Sequence, residues 1–248
     1  MDVKTIARAQ DELFDARLSA RAKYQRLIIG RPGLAALIRH EIITLVSQGV
    51  PGALGLALRQ RLYPLLLGAC GRNVVFGQNV VLRHPHKIRI GDNVLVDDNC
   101  LLDAKGEQNT GITIGSGTFI GRNTILSCKD GDIAIGDGAN LGFNCEVFSA
   151  SRVEIGSQAL LAAYTYVIGG DHQPDDPDRP VLEQSRSSTG VRIGPGVWLG
   201  AGAKIMDGVD IGEAAIVGAG AVVRESIPPR SVAVGVPARV VRVRGEKA

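Results

Sequence analysis

The chain has four histidines, and one of them lies in a segment unlike its surroundings. His172 follows Gly169-Gly170-Asp171 at the start of residues 169–189, a stretch rich in proline and aspartate. A neutral imidazole can accept a proton from a hydroxyl or an amine near pH 7. We therefore expect His172 to act as a general base. Acidic neighbours could orient its ring or could be solvated turn residues: Asp171, Asp175, Asp176 and Asp178.

A six-residue repeat between Ile90 and Val223 indicates what holds this loop. Each unit begins with an aliphatic residue, then a small residue, usually glycine, then four variable positions. In register it reads Ile114-Gly115, Ile120-Gly121, Ile135-Gly136, Leu141-Gly142, Ile155-Gly156 and Leu161-Ala162, then Ile193-Gly194, Leu199-Gly200, Ile205, Ile211-Gly212, Val217-Gly218 and Val223. A period of six is typical of a parallel β-helix with short flat faces, each pointing one aliphatic side chain inward. Residues 169–189 interrupt the repeat and are predicted to be ejected from this scaffold.

The sequence divides into three parts. Residues 1–69 are predicted to form a helical N-terminal extension, with helices at about 4–29, 34–48 and 53–67. Residues 70–226 form the β-helix, and residues 227–248 form a short basic tail where the repeat stops. The extension could cap the open end of the solenoid, or residues 34–69 could lie on a membrane as an interfacial hairpin. Its uncharged stretch, 42–58, is too short and too broken by glycine and proline to span a bilayer.

Composition and cysteine spacing limit the partners and the compartment. The formal net charge is +3, without a basic stripe interleaved with aromatic residues, so we expect no nucleic-acid partner. The chain starts Met-Asp-Val-Lys without an apolar stretch, which predicts no secretory signal and a cytoplasmic location. The cysteines lack the paired spacing of a zinc or redox motif and are expected to be free, buried thiols: Cys70, Cys100, Cys128 and Cys145.

Several motifs resemble the hexapeptide-repeat acyltransferase superfamily. They are Val197–Ala203, Val217–Gly220, Ile227-Pro228-Pro229 and Gly235–Ala238, preceded by Phe143-Asn144-Cys145 and the loop His172. The resemblance covers about residues 71–242 and points to galactoside, maltose and xenobiotic O-acetyltransferases and to surface-polysaccharide acetyltransferases. It implies a mainly β fold, a left-handed parallel β-helix, that assembles as a homotrimer with active sites between neighbouring subunits.

The same resemblance implies roles for individual residues. His172 would deprotonate the acceptor hydroxyl, which attacks the thioester of acetyl-CoA directly, and Asn144 would orient the acetyl or acceptor group from the facing subunit. Trp198 would wall the acceptor or pantetheine pocket. The other cofactor-binding candidates are small residues beside the pantetheine arm and cations for the phosphates: Gly200, Ala201, Ala219, Arg224, Arg239 and Arg242. Many relatives have threonine-lysine where this chain reads Arg224-Glu225, a departure at the expected adenine and 3′-phosphate contacts.

These features predict an acetyl-CoA-dependent O-acetyltransferase that acts on a saccharide of a surface polysaccharide or its lipid-linked precursor. An interfacial hairpin would place the enzyme peripherally on the cytoplasmic face of the inner membrane. Two other functions stay open: N-acetylation of a nucleotide-linked amino sugar, and a non-catalytic trimerisation scaffold. A γ-class carbonic anhydrase shares the solenoid but needs three histidines around zinc. Because His84 and His86 have no third histidine near them in the sequence, we expect no metal.

Overall fold

A parallel β-helix makes up most of the chain in the computed structural model, which describes residues 13–245. Successive coils each contribute a short strand to three sheets, which we name A, B and C, and equivalent strands pair in parallel from one coil to the next. The helical extension lies at the N-terminal end. The expected left-handed β-helix with N-terminal helices is therefore confirmed.

The strands of the three sheets are short and follow one another around the coil. Sheet A contains Ala69–Cys70, Ile88–Ile90, Ile112–Ile114, Asp132–Ile135, Arg152–Ile155, Val191–Ile193 and Asp210–Ile211. Sheet B contains Val75–Phe76, Leu95–Val96, Phe119–Ile120, Asn140–Leu141, Leu160–Leu161, Trp198–Leu199, Ile216–Val217, Ser231–Val234 and Arg239–Val243. Sheet C contains Val81–Arg83, Leu101–Asp103, Ile125–Cys128, Glu146–Ser149, Tyr166–Gly169, Lys204–Ile205 and Val222–Val223.

Aliphatic side chains fill the interior in vertical stacks. One inward stack of sheet A consists of residues that are at most 3% exposed: Ile114, Ile135, Ile155, Ile193 and Ile211. Each is the first residue of a repeat unit, so this stack occupies the positions that the period of six predicts. A second inward stack lies two residues earlier on the same strands and includes Ile112, Ile133 and Val153. Burial of one such side chain is worth about 1.5–3 kcal/mol, which makes these stacks a main source of the stability of the solenoid.

The spacing between paired residues shows where the chain leaves the solenoid. On sheet A, Ile112 pairs with Ile133 and Ile193 with Ile211, so these coils are 21 and 18 residues apart. Val153 instead pairs with Val191, which is 38 residues further along the chain. Pairing is continuous on both sides of this gap. The extra residues therefore form an insertion at the corner between sheets C and A.

Sheet B continues beyond residue 226, through the segment that the sequence analysis assigned to a C-terminal tail. Ser231–Val234 pairs in parallel with the strand Ile216–Val217 below it. The last strand, Arg239–Val243, then turns back and pairs antiparallel with Ser231–Val234. This reversal ends the parallel stacking, because the outer edge of the sheet is now a strand that runs the other way.

The α-helices that lie wholly within residues 13–245 all precede the first coil: α1 (Ala20–Tyr24), α2 (Leu34–Ser47) and α3 (Gly52–Leu62). A π-helix, Gln25–Ile29, follows α1, and 3₁₀ turns are found at Tyr63–Leu65, Pro85–Lys87 and Val181–Glu183. In this part of the chain no helix has the length and apolar character needed to span a membrane.

The helix boundaries differ from the sequence predictions at two places. The helix predicted at 4–29 is interrupted in its described part, because residues 15–19 are not helical and Ser19 caps α1 by accepting the Ala22 N–H at 3.2 Å. Residues 4–12 lie outside the described residues. The helix predicted at 53–67 is α3, which stops at Leu62 because Pro64 lacks the N–H needed to continue it.

A buried arginine fastens α3 to α2 and to the first coil. Arg59 is 1% exposed and donates from Nε to the carbonyl of Phe76 at 2.9 Å. Its Nη1 donates to the carbonyls of Ser47 at 2.9 Å and Val50 at 2.7 Å. These carbonyls are the ones that the end of α2 and the open edge of the coil would otherwise leave without a donor.

Two further bonds join the helices to the corner of the first coil. The Asn79 N–H donates to the Gln48 carbonyl at 2.9 Å, and the buried Tyr63 hydroxyl donates to the Val80 carbonyl at 2.8 Å. In the coils above, the N–H equivalent to that of Asn79 donates to the coil below it, as Asn99 does to Gln78 at 2.8 Å. The end of α2 therefore takes the place of a missing coil.

The substitution Arg59→Met is expected to lower the free energy of unfolding by about 3–5 kcal/mol, because three carbonyls lose their charged donor in a buried place. Arg61→Met is the matched control, since Arg61 is exposed on the same helix, and it should change stability by no more than about 0.5 kcal/mol. Urea unfolding followed by circular dichroism measures both. Equal unfolding midpoints for the two variants would contradict the role given to Arg59.

Candidate active site

The loop at residues 169–189 is anchored at its base by a short antiparallel ladder. Asp171–His172 pairs with Arg186–Ser187, placing His172 opposite Arg186. Gly170 makes the turn out of sheet C with φ 149°, and a Cβ there would lie 2.8 Å from the Ala150 side chain. The loop therefore leaves the solenoid through a glycine and places His172 at its first rigid position.

His172 is held close to the solenoid although most of its loop is exposed. The side chain is half-buried, and its ring Nδ1 is buried without a hydrogen-bond partner among the described residues. Its backbone N–H donates to Oδ1 of Asp171 at 2.7 Å. The ring is thus located by the ladder and by packing, and its nitrogens are not occupied by the loop.

The acidic residues of the loop organise the backbone. Asp171 bonds the N–H of His172, and Asp176 Oδ1 accepts the N–H of Asp178 at 3.0 Å. Gln184 joins the two sides of the loop by accepting the Asp176 N–H at 2.9 Å. In the described part of the chain none of these carboxylates bonds to the imidazole, so their contacts match those of turn residues.

An aromatic wall on the outer face of sheet C, which sequence reasoning missed, precedes the loop. The rings of Phe148 and Tyr166 lie 5.8 Å apart, and Lys129 Nζ lies 5.0 Å from the centre of the Phe148 ring. Burial, and then the carboxylates of Glu146 and Asp171, raise the pKa of the Tyr166 hydroxyl. Tyr166 and Ile168 alternate with inward residues in the strand just before the loop, and that alternation was the available signal.

Asn144 lies at the other end of sheet C, at the corner with sheet B. It has left-handed backbone geometry, φ 55°, and its Oδ1 accepts Nδ2 of Asn123 at 3.0 Å. Asn79 and Asn99 form the same bond at 3.1 Å at the same corner lower in the solenoid. Asparagine tolerates this conformation better than most residues, so Asn144 has a structural role in an amide ladder. A four-residue strand, roughly 13 Å long, separates it from the corner of His172.

Trp198 and the two candidate alanines lie close to the corner of Asn144. Trp198 points outward from sheet B, is 48% exposed, and lies between Leu160 and Ile216 of neighbouring coils. Ala201 and Ala219 are exposed at the corner itself, where the N–H of Gly220 donates to the Ala201 carbonyl at 2.8 Å. One chain therefore brings Asn144, Trp198 and both alanines to the B–C corner, and His172 to the C–A corner.

Gly200 has a structural explanation in the stacking of the coils. A Cβ at this position would lie 2.5 Å from the backbone nitrogen of Ala219, closer than real Cβ atoms approach. The glycine is therefore required for two coils to meet, independently of any ligand.

The three candidate arginines are exposed near the C-terminal end of the solenoid. Arg224 follows the sheet C strand Val222–Val223, and Arg242 lies opposite Val232 on the last strand of sheet B. Arg239 forms an exposed ion pair with Glu225 at 3.2 Å. Glu225 thus neutralises one of the cations that the resemblance assigns to the CoA phosphates.

The titration of the thiols bears on whether cysteine could act as a nucleophile. Burial raises the pKa of all four cysteines, to about 12 for Cys100. A thiolate is the reactive form, so such thiols are poor nucleophiles. Within residues 13–245, no group of three or more His, Cys, Asp or Glu side chains could hold a metal ion.

Parts of the chain match two models of repeat families. Residues 190–225 match the model described as bacterial transferase hexapeptide (six repeats), and residues 132–167 match the hexapeptide repeat of succinyl-transferase. Nodulation protein L of Rhizobium meliloti (strain 1021) is 41% identical over 154 residues, which are 61% of this chain and 78% of that protein. The chain belongs to the hexapeptide-repeat acetyltransferase superfamily.

This chain is also similar to a curated mycobacterial protein and to a solved structure. A probable acetyltransferase of Mycobacterium tuberculosis is 35% identical over 133 residues, 54% of this chain and 44% of that protein. The match thus spans less than half of that relative. A crystal structure of a variant of AntD, an N-acyltransferase from Bacillus cereus in complex with dTDP and coenzyme A, is 26% identical with a TM-score of 0.54. The alignment covers 76% of this chain and 90% of AntD, so the likeness extends over most of both folds.

The thiol assignment gives a direct test on this superfamily member. Cys70 is half-buried and the other three cysteines are buried, so a thiol reagent at pH 8 is expected to modify at most one cysteine in the folded protein. All four should react in denaturant. The measurement is absorbance of the released aromatic thiolate, and Cys70→Ser should abolish the native reaction. Rapid modification of a second thiol in the folded protein would contradict the burial described above.

Proposed function

We propose that the protein is an O-acetyltransferase that moves an acetyl group from acetyl-CoA to a hydroxyl of a saccharide, with His172 as the general base. The acceptor class is a surface polysaccharide or its lipid-linked precursor. The observation that carries the proposal is the position of His172, half-buried at the hydrogen-bonded base of the loop 169–189, with a ring Nδ1 that has no hydrogen-bond partner among the described residues. Membership in the acetyltransferase superfamily supports the same activity.

The proposed chemistry needs one proton to be moved twice. Acetyl-CoA supplies an activated thioester as the co-substrate. The imidazole of His172 takes the proton of the acceptor hydroxyl as its oxygen attacks the thioester carbonyl, and the imidazolium returns that proton to the departing sulfur. Alignment of the two substrates and donors for the developing oxyanion would supply the remaining rate enhancement.

The surroundings of the loop suit a sugar acceptor. Glu146 and Asp171 lie near Tyr166 on the face that the loop borders. The aromatic wall of Phe148 and Tyr166 offers the flat apolar surface on which sugar rings commonly stack. These residues are proposed to hold the acceptor, while Asn144 orients the acetyl group or the acceptor.

The B–C corner is proposed to hold the CoA arm. Trp198 would wall the pocket, and the exposed backbone around Ala201 and Ala219 lets an extended ligand approach closely, since neither residue has bulk. Arg224 and Arg242 are proposed to contact the CoA phosphates. Arg239 contributes less to this interaction, because Glu225 already pairs with it.

A second candidate is N-acylation of a nucleotide-linked amino sugar. The observation that favours it is the likeness to AntD, which is an N-acyltransferase crystallised with dTDP and coenzyme A. The same histidine could accept a proton from an amine. The two functions differ in the acceptor alone, so the choice is made by comparing hydroxyl-bearing saccharides with a dTDP-linked amino sugar in one assay.

The substitution His172→Ala is expected to lower kcat by about 10²–10⁴, the usual contribution of a general base. CoA release from acetyl-CoA, followed with a thiol reagent across a panel of saccharide and amino-sugar acceptors, measures the loss. Asp175→Asn is the control in the same loop and should stay within about twofold of the unchanged protein. Undiminished transfer by the alanine variant would remove His172 from the mechanism.

We also propose that the enzyme is a homotrimer whose sites lie between chains. A site that uses both His172 and Asn144 needs two chains, because they lie at opposite ends of sheet C in one chain. Sheet B presents apolar residues outward, among them Phe119, Leu160 and Trp198. Sheet A instead presents charged residues such as Arg89 and Glu154. This asymmetry fits packing through sheets B and C, with sheet A in solvent.

Mixing two inactive variants tests the shared site. His172→Ala and Asn144→Ala, co-expressed in equal amounts, should form trimers in which about one quarter of the sites carry both original residues, by random assembly around a three-fold axis. Activity should recover to roughly that fraction, as measured by initial rates of the purified mixture. If activity requires both residues within one chain, co-expression restores nothing, and the intersubunit site is refuted.

A further inference from the structure

One side of the helical cap remains uncovered and apolar. Ile43 and Ser47 of α2 are buried, whereas Leu34, Ile38, Ile42 and Leu45 are 47–84% exposed. Their spacing of four, four and three residues places them along one side of the helix. Leu54 and Leu56 of α3 are also exposed, at 67% and 42%, but two residues apart on a helix they lie on opposite flanks of α3. We call the four residues of α2 the apolar face. Contiguous exposed patches of this kind mark interaction sites.

Charged residues lie on both sides of the apolar face in the sequence. Residues 42–58, from the end of α2 to the middle of α3, contain no charged residue. Arg39 and Arg61 lie outside this stretch, and both are exposed. Glu41 directly precedes the stretch and lies half-exposed on the same side of α2 as Ile38 and Leu45; it accepts a hydrogen bond from the Tyr24 hydroxyl at 2.6 Å and lies 3.4 Å from Nδ1 of His40. An apolar surface with arginines nearby, whose one carboxylate on α2 is held by Tyr24 and His40, matches the boundary between acyl chains and anionic headgroups.

A small cavity lies beside the same helix, and two ring nitrogens of its lining histidines have no hydrogen-bond partner among the described residues. It has a volume of ≈ 50 Å³, and its polar lining residues are Arg31, Arg39, His40 and His86. His40 Nε2 and His86 Nδ1 are buried without a partner among the described residues, and the His40 side chain is 5% exposed. Ala36 and His40 lie on the side of α2 opposite to the apolar face, so this cavity is formed where α2 packs on the first coil and is not part of the apolar face.

We propose that α2 and α3 dock on an anionic lipid surface. The apolar face enters the boundary between headgroups and acyl chains, and Arg39 and Arg61 contact the headgroups. Helix α2, about 21 Å long at 1.5 Å per residue, lies flat on the surface while its other side stays packed on the first coil.

A second copy of the chain fits this surface less well than lipid does. In a two-fold contact the same patch meets itself, which would bring the nearby arginines of one copy close to those of the other. Lipid headgroups complement these arginines instead. In the cyclic trimer, which rests on the proposed function, three apolar faces lie at one height along the axis and can reach one flat surface together.

Flotation of the full chain with vesicles tests the proposal. The vesicles contain phosphatidylcholine alone or with about one third phosphatidylglycerol, and no acyl-CoA is present. The unchanged chain should float with the anionic vesicles and stay in solution with the neutral ones. The double variant Ile42→Ser/Leu45→Ser and the double variant Arg39→Gln/Arg61→Gln should each lower the partition coefficient by about tenfold or more. Leu182→Ser is the matched control, 58% exposed but outside the cap, and should float normally.

Three results would overturn lipid docking. They are flotation of both double variants at the level of the unchanged chain, absence of flotation of the unchanged chain, and loss of the oligomer in the serine variant without any vesicle binding. The last result would assign the apolar face to a second copy. All altered side chains are exposed, so the variants should melt within a few degrees of the original. A chain that floats but transfers no acetyl group would overturn the proposed function and leave the docking intact.

Discussion

Each strand of the solenoid must pair in register with the strand one coil below, and this requirement decides where every other feature can lie. Closely packed and mainly aliphatic side chains fill the described interior of the coils. Additional residues can leave only at a corner, as they do between Gly169 and Gly190, after which the pairing of Val153 with Val191 restores the register. A catalytic side chain in such a fold therefore belongs on an outer surface, and a groove between chains is the place where water can be excluded from it.

The period of six made the inward residues predictable, because an inward position is defined by the chain's own repeat. Leu141 is buried and its neighbour Asn140 is exposed for that reason alone. The burial of Arg59 was not predictable in this way. The local sequence does not distinguish Arg59 from Arg61. Arg59 is buried because it lies where α2 and α3 come close together, as Gly55 shows: a Cβ there would lie 1.8 Å from the Val50 carbonyl oxygen. The break before α1 likewise depends on the Ser19 cap. It was not predicted, because the charge pattern of residues 4–29 is compatible with one long helix.

In the candidate site too, features defined by the local sequence could be predicted, whereas contacts between coils could not. His172 could be chosen from the sequence, because the loop interrupts the repeat. The alternation before the loop could have shown that Tyr166 points outward. Its contact with Phe148 could not be seen locally, because Glu146 and Tyr166 are neighbours through pairing across 20 residues, and Phe148 meets Tyr166 diagonally. Asn144 was chosen for a role in transfer, yet its place in the amide ladder would favour asparagine even without a substrate. The pairing of Arg239 with Glu225 similarly joins residues that the linear motif treats separately.

The cap explains why an apolar face stays exposed in a fold that buries aliphatic side chains so completely elsewhere. Arg59 ties the end of α2 to the first coil through the Ser47 and Phe76 carbonyls, so α2 cannot roll about its axis without breaking buried hydrogen bonds. Its outward leucines and isoleucines are therefore held away from the core, although burying each one would be worth about 1.5–3 kcal/mol. Leu45, at 84% exposure, does not stabilise the folded monomer by burial. In the proposed lipid docking, the apolar surface of Leu45 is buried against the bilayer, so its burial stabilises the bound state.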